Sequence, residues 1–247
     1  MDSMAVTDNK NRSGSPERKD VHLMFDRISG RYDLLNRLLS MRRDVAWRKK
    51  VAELLPEGDN LTVLDLATGT GDLVLSLFEN SSRVKYGVGL DMAGKMLEIA
   101  QSKVADQGME KKIELIRSDA TELPVGDNQF SAVTIAFGIR NVTDVNRSLR
   151  EMHRILTPNG KALILEFSLP ENKLVRSGYL FYFRHILPAV GSLISGDGFA
   201  YRYLNQTVET FPYGQEFCSL METAGFKNVK EHRLTFGIAT IYEGTKL

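Results

Sequence analysis

The chain has 247 residues and a net charge of +1, with 32 Lys and Arg against 31 Asp and Glu, so its overall charge draws it neither to nucleic acid nor to an anionic membrane. Its single cysteine, Cys218, excludes an internal disulfide and a multi-cysteine metal site, in keeping with a reducing compartment. No uninterrupted apolar stretch reaches the roughly twenty residues a membrane helix needs, which predicts a soluble chain with one sizeable core.

Residues 1–20 are polar, hold no apolar stretch of a signal sequence, and read as a disordered tail ahead of a single domain over 21–247. From Val21 to Leu55, apolar positions at helical spacing (Phe25, Ile28, Tyr32, Leu35, then Trp47, Val51, Leu54) predict an N-terminal helical segment. Such helices either cover a ligand loop or simply pack on a sheet, and spacing leaves both open.

The stretch Val63 to Leu73 follows, in which an apolar run containing Asp65 meets a loop with Gly69 and Gly71 around Thr70, and a helical pattern begins at once. Glycines there let backbone approach a ligand, and the free N–H groups of a helix start favour a negative group. A dinucleotide fingerprint would want glycine at position 74, where this chain has Val74, and the acids Asp65 and Asp72 suit a cation better than a pyrophosphate. A second apolar run, Tyr86 to Leu90, ends in Asp91, about twenty residues past the loop, where doubly wound folds hold a ribose diol. S-adenosylmethionine, with an ammonium, a carboxylate, a sulfonium and a ribose, fits that set. A structural turn with Asp65 as a cap is the competing reading.

Strands are expected near Leu61 to Leu66, Lys85 to Leu90, Ile113 to Arg117, Ser131 to Phe137 and Ala162 to Phe167, with helices near Asp72 to Glu79, Ala93 to Gln107 and Val145 to Leu156 between them. Strict alternation predicts an α/β, Rossmann-like, mostly parallel sheet covered on both faces. Pro158, Asn159 and Gly160 are expected to stop the helix before the fifth strand. An apolar helical region should cover Leu174 to Ile194 with a break at Pro188, and two final strands joined at Gly237 must be antiparallel, making seven.

Ligands of such sheets gather outside the carboxyl ends of the strands. The third strand ends at Asp119-Ala120, where a carboxylate and the next backbone N–H could read an adenine edge, or where Asp119 merely caps a turn. The fourth ends at Phe137-Gly138-Ile139-Arg140-Asn141-Val142-Thr143-Asp144; Arg140 and Asn141 either face a substrate or serve as surface charge and helix cap.

Taken with Tyr32-Asp33-Leu34-Leu35-Asn36, Trp47, the Asp65 to Leu73 loop and Leu165-Glu166-Phe167-Ser168, this run resembles the ubiquinone/menaquinone biosynthesis C-methyltransferase family, from about Val21 to the end. The resemblance implies the class I S-adenosylmethionine-dependent methyltransferase fold, S-adenosylmethionine as cofactor, and methylation of a ring carbon of a polyprenylated quinol without a metal. It places cofactor contacts on Thr70, Asp91, Asp119 and Ala120, beside Asp65, Gly69 and Gly71 of the loop. Members often carry Asn at 119 and Ser at 136, where this chain has Asp119 and Ala136. For the proton step it points to Arg140, as a stabiliser of phenolate rather than a base, with Asn141 and Tyr32 orienting the acceptor oxygen. His185 is a further candidate base. The resemblance implies a cytoplasmic enzyme; a peripheral contact with the inner membrane through Tyr179 to Ile194 and a homo-oligomer stay open, as do O- or N-methylation of another small molecule and a non-catalytic nucleotide-binding role.

Overall fold

The computed structural model describes residues 20–186 and 207–247. The tail expected over 1–20, apart from Asp20, lies outside the described residues, and so does 187–194 of the expected apolar helix with its break at Pro188. Strands β1 (Leu61–Leu66), β2 (Val84–Asp91), β3 (Ile113–Arg117), β4 (Phe130–Ala136), β5 (Leu156–Phe167), β6 (Lys227–Leu234) and β7 (Ala239–Thr245) form a seven-stranded sheet in the order β3-β2-β1-β4-β5-β7-β6. The first five run parallel, and β7 lies antiparallel to both β5 and β6, as the tight connection at Thr235–Gly237 demands. Strand order reverses between β1 and β4, which opens a crevice at their carboxyl ends.

Alternation along the strands sorts the core into two layers. Leu61 and Val63 of β1, Leu163 and Leu165 of β5, and Ile241 of β7 pack with helices α1 (Val21–Leu39) and α2 (Asp44–Glu53) through Met24, Trp47 and Val51. Leu64 and Leu66, Val133 and Ile135, Ile164 and Tyr242 point the other way, against α5 (Val145–Ile155) and α7 (Gln215–Thr223) through Leu149, Met152 and Phe217. Helices α3 (Asp72–Asn80) and α4 (Gly94–Asp106) complete the alternation around β2. Helix α6 (Lys173–Phe181) runs directly into a single π-helical turn, Tyr182–Ile186.

The fifth strand begins earlier than the expected Ala162. Helix α5 ends at Ile155, and Pro158, Asn159 and Gly160 lie inside β5, where its register against β4 jumps from Phe130↔Leu156 to Ala132↔Lys161. A proline ring collides with the carbonyl four residues back, so the helix has to be over before the proline is reached. Asn159 then takes a left-handed φ of 64°, and the bulge pairs its backbone with Lys246.

Candidate active site

The loop after β1 has left-handed backbone at Ala67, Gly69 and Gly71. Asp65 anchors it from below: its buried carboxyl accepts from Thr68 Oγ1 and from Thr134 Oγ1 on β4, both at 2.7 Å. Asp91, at the end of β2, accepts from the Gly69 N–H and the Ala93 N–H, both at 2.8 Å, so one side chain holds the glycine loop and the start of α4 together. Loss of solvation raises the Asp91 pKa against the lowering effect of those amides. Gly71 lines neither the cavity nor the alcove described below. It begins α3 at φ 81°, and a Cβ there would stand 3.2 Å from that of Ala100, so its role is close packing of the loop on α4.

Above these strand ends lies a cavity of about 300 Å³, mostly apolar, lined by Gly69, Asp91, Ser118, Asp119, Ala120, Ala136, Phe137 and Asn141, and by Val21, His22, Phe25 and Tyr32 of α1. A small polar alcove opens beside it between Asn36, Arg48, Asp65, Thr70 and Asp72, and the two share Tyr32, Ala67, Gly69, Ala136 and Phe137. The N-terminal helices are therefore a cover over the loop, which spacing alone left open. Thr70 Oγ1 donates to Asp33 of α1 at 2.6 Å, Lys103 of α4 bridges Asp33 and Asp72, and Arg48 pairs with Asp44 and Asp72.

The donor set fits S-adenosylmethionine. The apolar cavity with Asp91 at its wall suits an adenosine, and the alcove offers a buried guanidinium from Arg48 for a carboxylate and the buried Asp65 for an ammonium. Asp119 both lines the cavity and caps its turn, Oδ1 accepting from the Thr121 N–H at 2.8 Å and hydroxyl at 2.9 Å. Tyr32 and Asn141 both reach the cavity, and burial raises the Tyr32 phenol pKa. The cap of α5 is Asp144, which accepts from the Arg147 N–H, rather than Asn141 with Thr143.

Arg140 is not a surface charge, and it lines neither the cavity nor the alcove. It is 5% exposed, donates from one nitrogen to the Phe137 carbonyl at 2.6 Å and to Glu166 at 2.5 Å, and sits 5.7 Å from the centre of the Phe167 ring. His185 lies exposed on the π-helical turn against Phe181, outside the cavity. Spacing missed Arg48, His22 and Glu166. The signal for Glu166 was present, since an acid closing the apolar run Ala-Leu-Ile-Leu in a central strand requires a buried partner. Among the described residues no group of three or more His, Cys, Asp or Glu is placed to hold a metal ion, and no helix is long and apolar enough to cross a membrane.

Asp65 carries a testable charge. Desolvation, offset in part by the Thr134 and Thr68 hydroxyls, pushes its pKa up to about 7. Between about pH 4, the ordinary carboxylate range, and pH 7 the folded protein therefore keeps a proton that the unfolded chain has lost. Stability should fall as pH rises through that window, by a few kcal/mol at most, roughly, and level off above it. Urea unfolding of Asp65→Asn should lack this slope, and parallel curves for variant and parent would show that Asp65 is already ionised in the fold.

The family model of the ubiE/COQ5 methyltransferase family matches residues 12–246. The chain is 44% identical over 223 residues to a demethylmenaquinone methyltransferase of Thermus thermophilus, covering 90% of this chain and 100% of the relative. It is 42% identical over 226 residues to the ubiquinone/menaquinone biosynthesis C-methyltransferase UbiE of Geotalea daltonii, covering 92% and 96%. Among solved structures, a possible histamine N-methyltransferase of Thermotoga maritima superposes with a TM-score of 0.63 at 20% identity, covering 91% of this chain and 99% of that one. An S-adenosylmethionine-dependent methyltransferase of Methanococcus maripaludis does so with a TM-score of 0.60 at 18% identity, covering 96% and 97%; these two likenesses concern the fold alone.

Proposed function

The chain belongs to the ubiE/COQ5 methyltransferase family, and from that premise we propose that it methylates a ring carbon of a polyprenylated quinol, demethylmenaquinol or the equivalent benzoquinol, with S-adenosylmethionine as donor. The observation that carries this reading is the junction of two settings at one place: a cavity walled by Gly69, Asp91 and Asp119 is also lined by Tyr32 of α1 and by Asn141, which follows β4. When bound, S-adenosylmethionine supplies an electrophilic methyl group on its sulfonium. Asp91 would hold the ribose hydroxyls, Asp119 and the Ala120 backbone the adenine edge, Asp65 the ammonium and Arg48 the carboxylate. Tyr32 and Asn141, which line the cavity, would orient the acceptor ring, and the Arg140 charge behind Phe137 would favour negative charge developing on a ring oxygen.

Incubation with methyl-labelled S-adenosylmethionine and a panel of reduced naphthoquinones and benzoquinones tests the reading. Label should enter the ring carbon of a quinol and not that of the matching quinone, because only a hydroxyl can push electrons onto that carbon. Equal labelling under strictly oxidising conditions would refute the activation proposed.

A further inference from the structure

We propose that Arg140, Glu166 and Tyr179 form a buried polar cup that receives one ring oxygen of the acceptor, with Glu166 taking the proton from it; this rests on the quinol reading above. The three residues are 5%, 1% and 4% exposed, at the ends of β4 and β5 and on α6. Each has a buried polar atom without a hydrogen-bond partner among the described residues: Arg140 Nε, Glu166 Oε2 and Tyr179 Oη. Tyr179 belongs to the same buried cluster as Phe137 and Phe167, the two residues on which the Arg140 guanidinium rests while it holds Glu166, so the three groups share one neighbourhood. Of the six buried side-chain atoms left unpaired among the described residues, three gather here, and each costs folding free energy that a hydrocarbon in its place would not. Three together are explained by a ligand that completes them.

Their chemistry describes that ligand. A guanidinium N–H can only donate, a carboxylate can only accept, and a phenol does either, which is the complement of a hydroxyl that gives up its proton and is then held as an oxyanion. The surroundings suit a flat ring. Phe137 and Phe167 stack at 4.5 Å, Trp47 packs on both, and Phe137 also forms the wall of the cavity that Tyr32 and Asn141 line. Glu166 is fixed for the task by the Phe167 N–H at 2.8 Å and by Arg140, both on Oε1, which leaves Oε2 uncommitted. Burial raises the Glu166 pKa despite Arg140 and so narrows its gap to a phenol.

The step is a proton transfer. The ring O–H bond breaks, an O–H bond forms on Glu166, and the electron pair left on oxygen delocalises to the ring carbon that is to be methylated. Once that carbon carries its methyl group and has shed its hydrogen to solvent as a proton, the oxygen takes its own proton back, and the side chain ends the cycle as it began.

The full chain, with S-adenosylhomocysteine present, is titrated with 4-nitrophenol, whose phenolate absorbs in the visible whereas the neutral form does not. The parent should bind it as phenolate. Tyr179→Phe should weaken that binding at least about tenfold, the scale of one hydrogen bond to a charged group, while its thermal midpoint stays level or rises because the hydroxyl lost had no partner. Glu166→Gln should bind the probe in its neutral form, and turnover on a quinol should fall about 10²-fold in that variant with S-adenosylhomocysteine affinity unchanged. No binding by the parent, a neutral probe in the parent, or equal binding by Tyr179→Phe overturns the cup, and Tyr179→Phe decides alone if Glu166→Gln does not fold. Failure of the parent to methylate any quinol overturns the reading above instead, and the phenol titration still stands as the test of the cup.

Discussion

Arg140→Ala should lower methyl-transfer turnover by about 10² or more, the scale of losing one preorganised stabiliser of developing negative charge, and leave cofactor affinity nearly intact. The second half follows from placement, since Arg140 lines neither the cavity nor the alcove. The substitution also removes the partner of Glu166, which is 1% exposed, and an unpaired buried carboxylate costs about 3–5 kcal/mol or takes up a proton. Turnover and unfolding must therefore be read together. The double variant Arg140→Met with Glu166→Leu replaces the whole pair by apolar groups of similar size and should recover much of the stability without recovering turnover. Recovery of both would assign the pair to folding alone.

Asp91→Ala should weaken S-adenosylmethionine binding by about 1–3 kcal/mol, through loss of charge-assisted hydrogen bonds to the ribose. The carboxylate also accepts from the Gly69 and Ala93 amides, so the variant frees the glycine loop and the start of α4 in the same stroke. Asp91→Asn is not a mild version of this change. An amide NH₂ turned toward either N–H would set donor against donor, and the variant should bind little better than alanine does. Calorimetry on both variants checks the pair of expectations, and unchanged affinity in Asp91→Ala would take this residue out of the binding site.

Asp91 illustrates what could be read in advance. Its distance from the loop and its place at a strand end were visible because both follow from the period of a strand-loop-helix-strand unit, and such periods are local. The five parallel strands and the antiparallel pair were legible for the same reason. That its two oxygens hold backbone at residues 69 and 93 was not legible, since hydrogen bonds across the sheet end depend on loop conformation. Arg140 shows the limit more sharply. Whether a charged residue after a strand faces water, a ligand or a buried acid is decided by a partner 26 positions away on β5, and no spacing rule links them. The cover formed by α1 was likewise undetermined, because an amphipathic face states that something is buried and not against what. Asp33 meeting Thr70 and Lys103 settles it through charges far apart in the chain.

The antiparallel β7 lies between β5 and β6, although β6 precedes it in the chain. Until β7 is in place, β6 has no strand of the sheet to pair with. The sheet closes only when residues 239–245 arrive and slot between two strands already present. Such late, non-local pairing is slow and keeps strand edges open. A chain cut short before residue 239 would therefore lose two strands rather than one, exposing along β5 a ready template for a second copy.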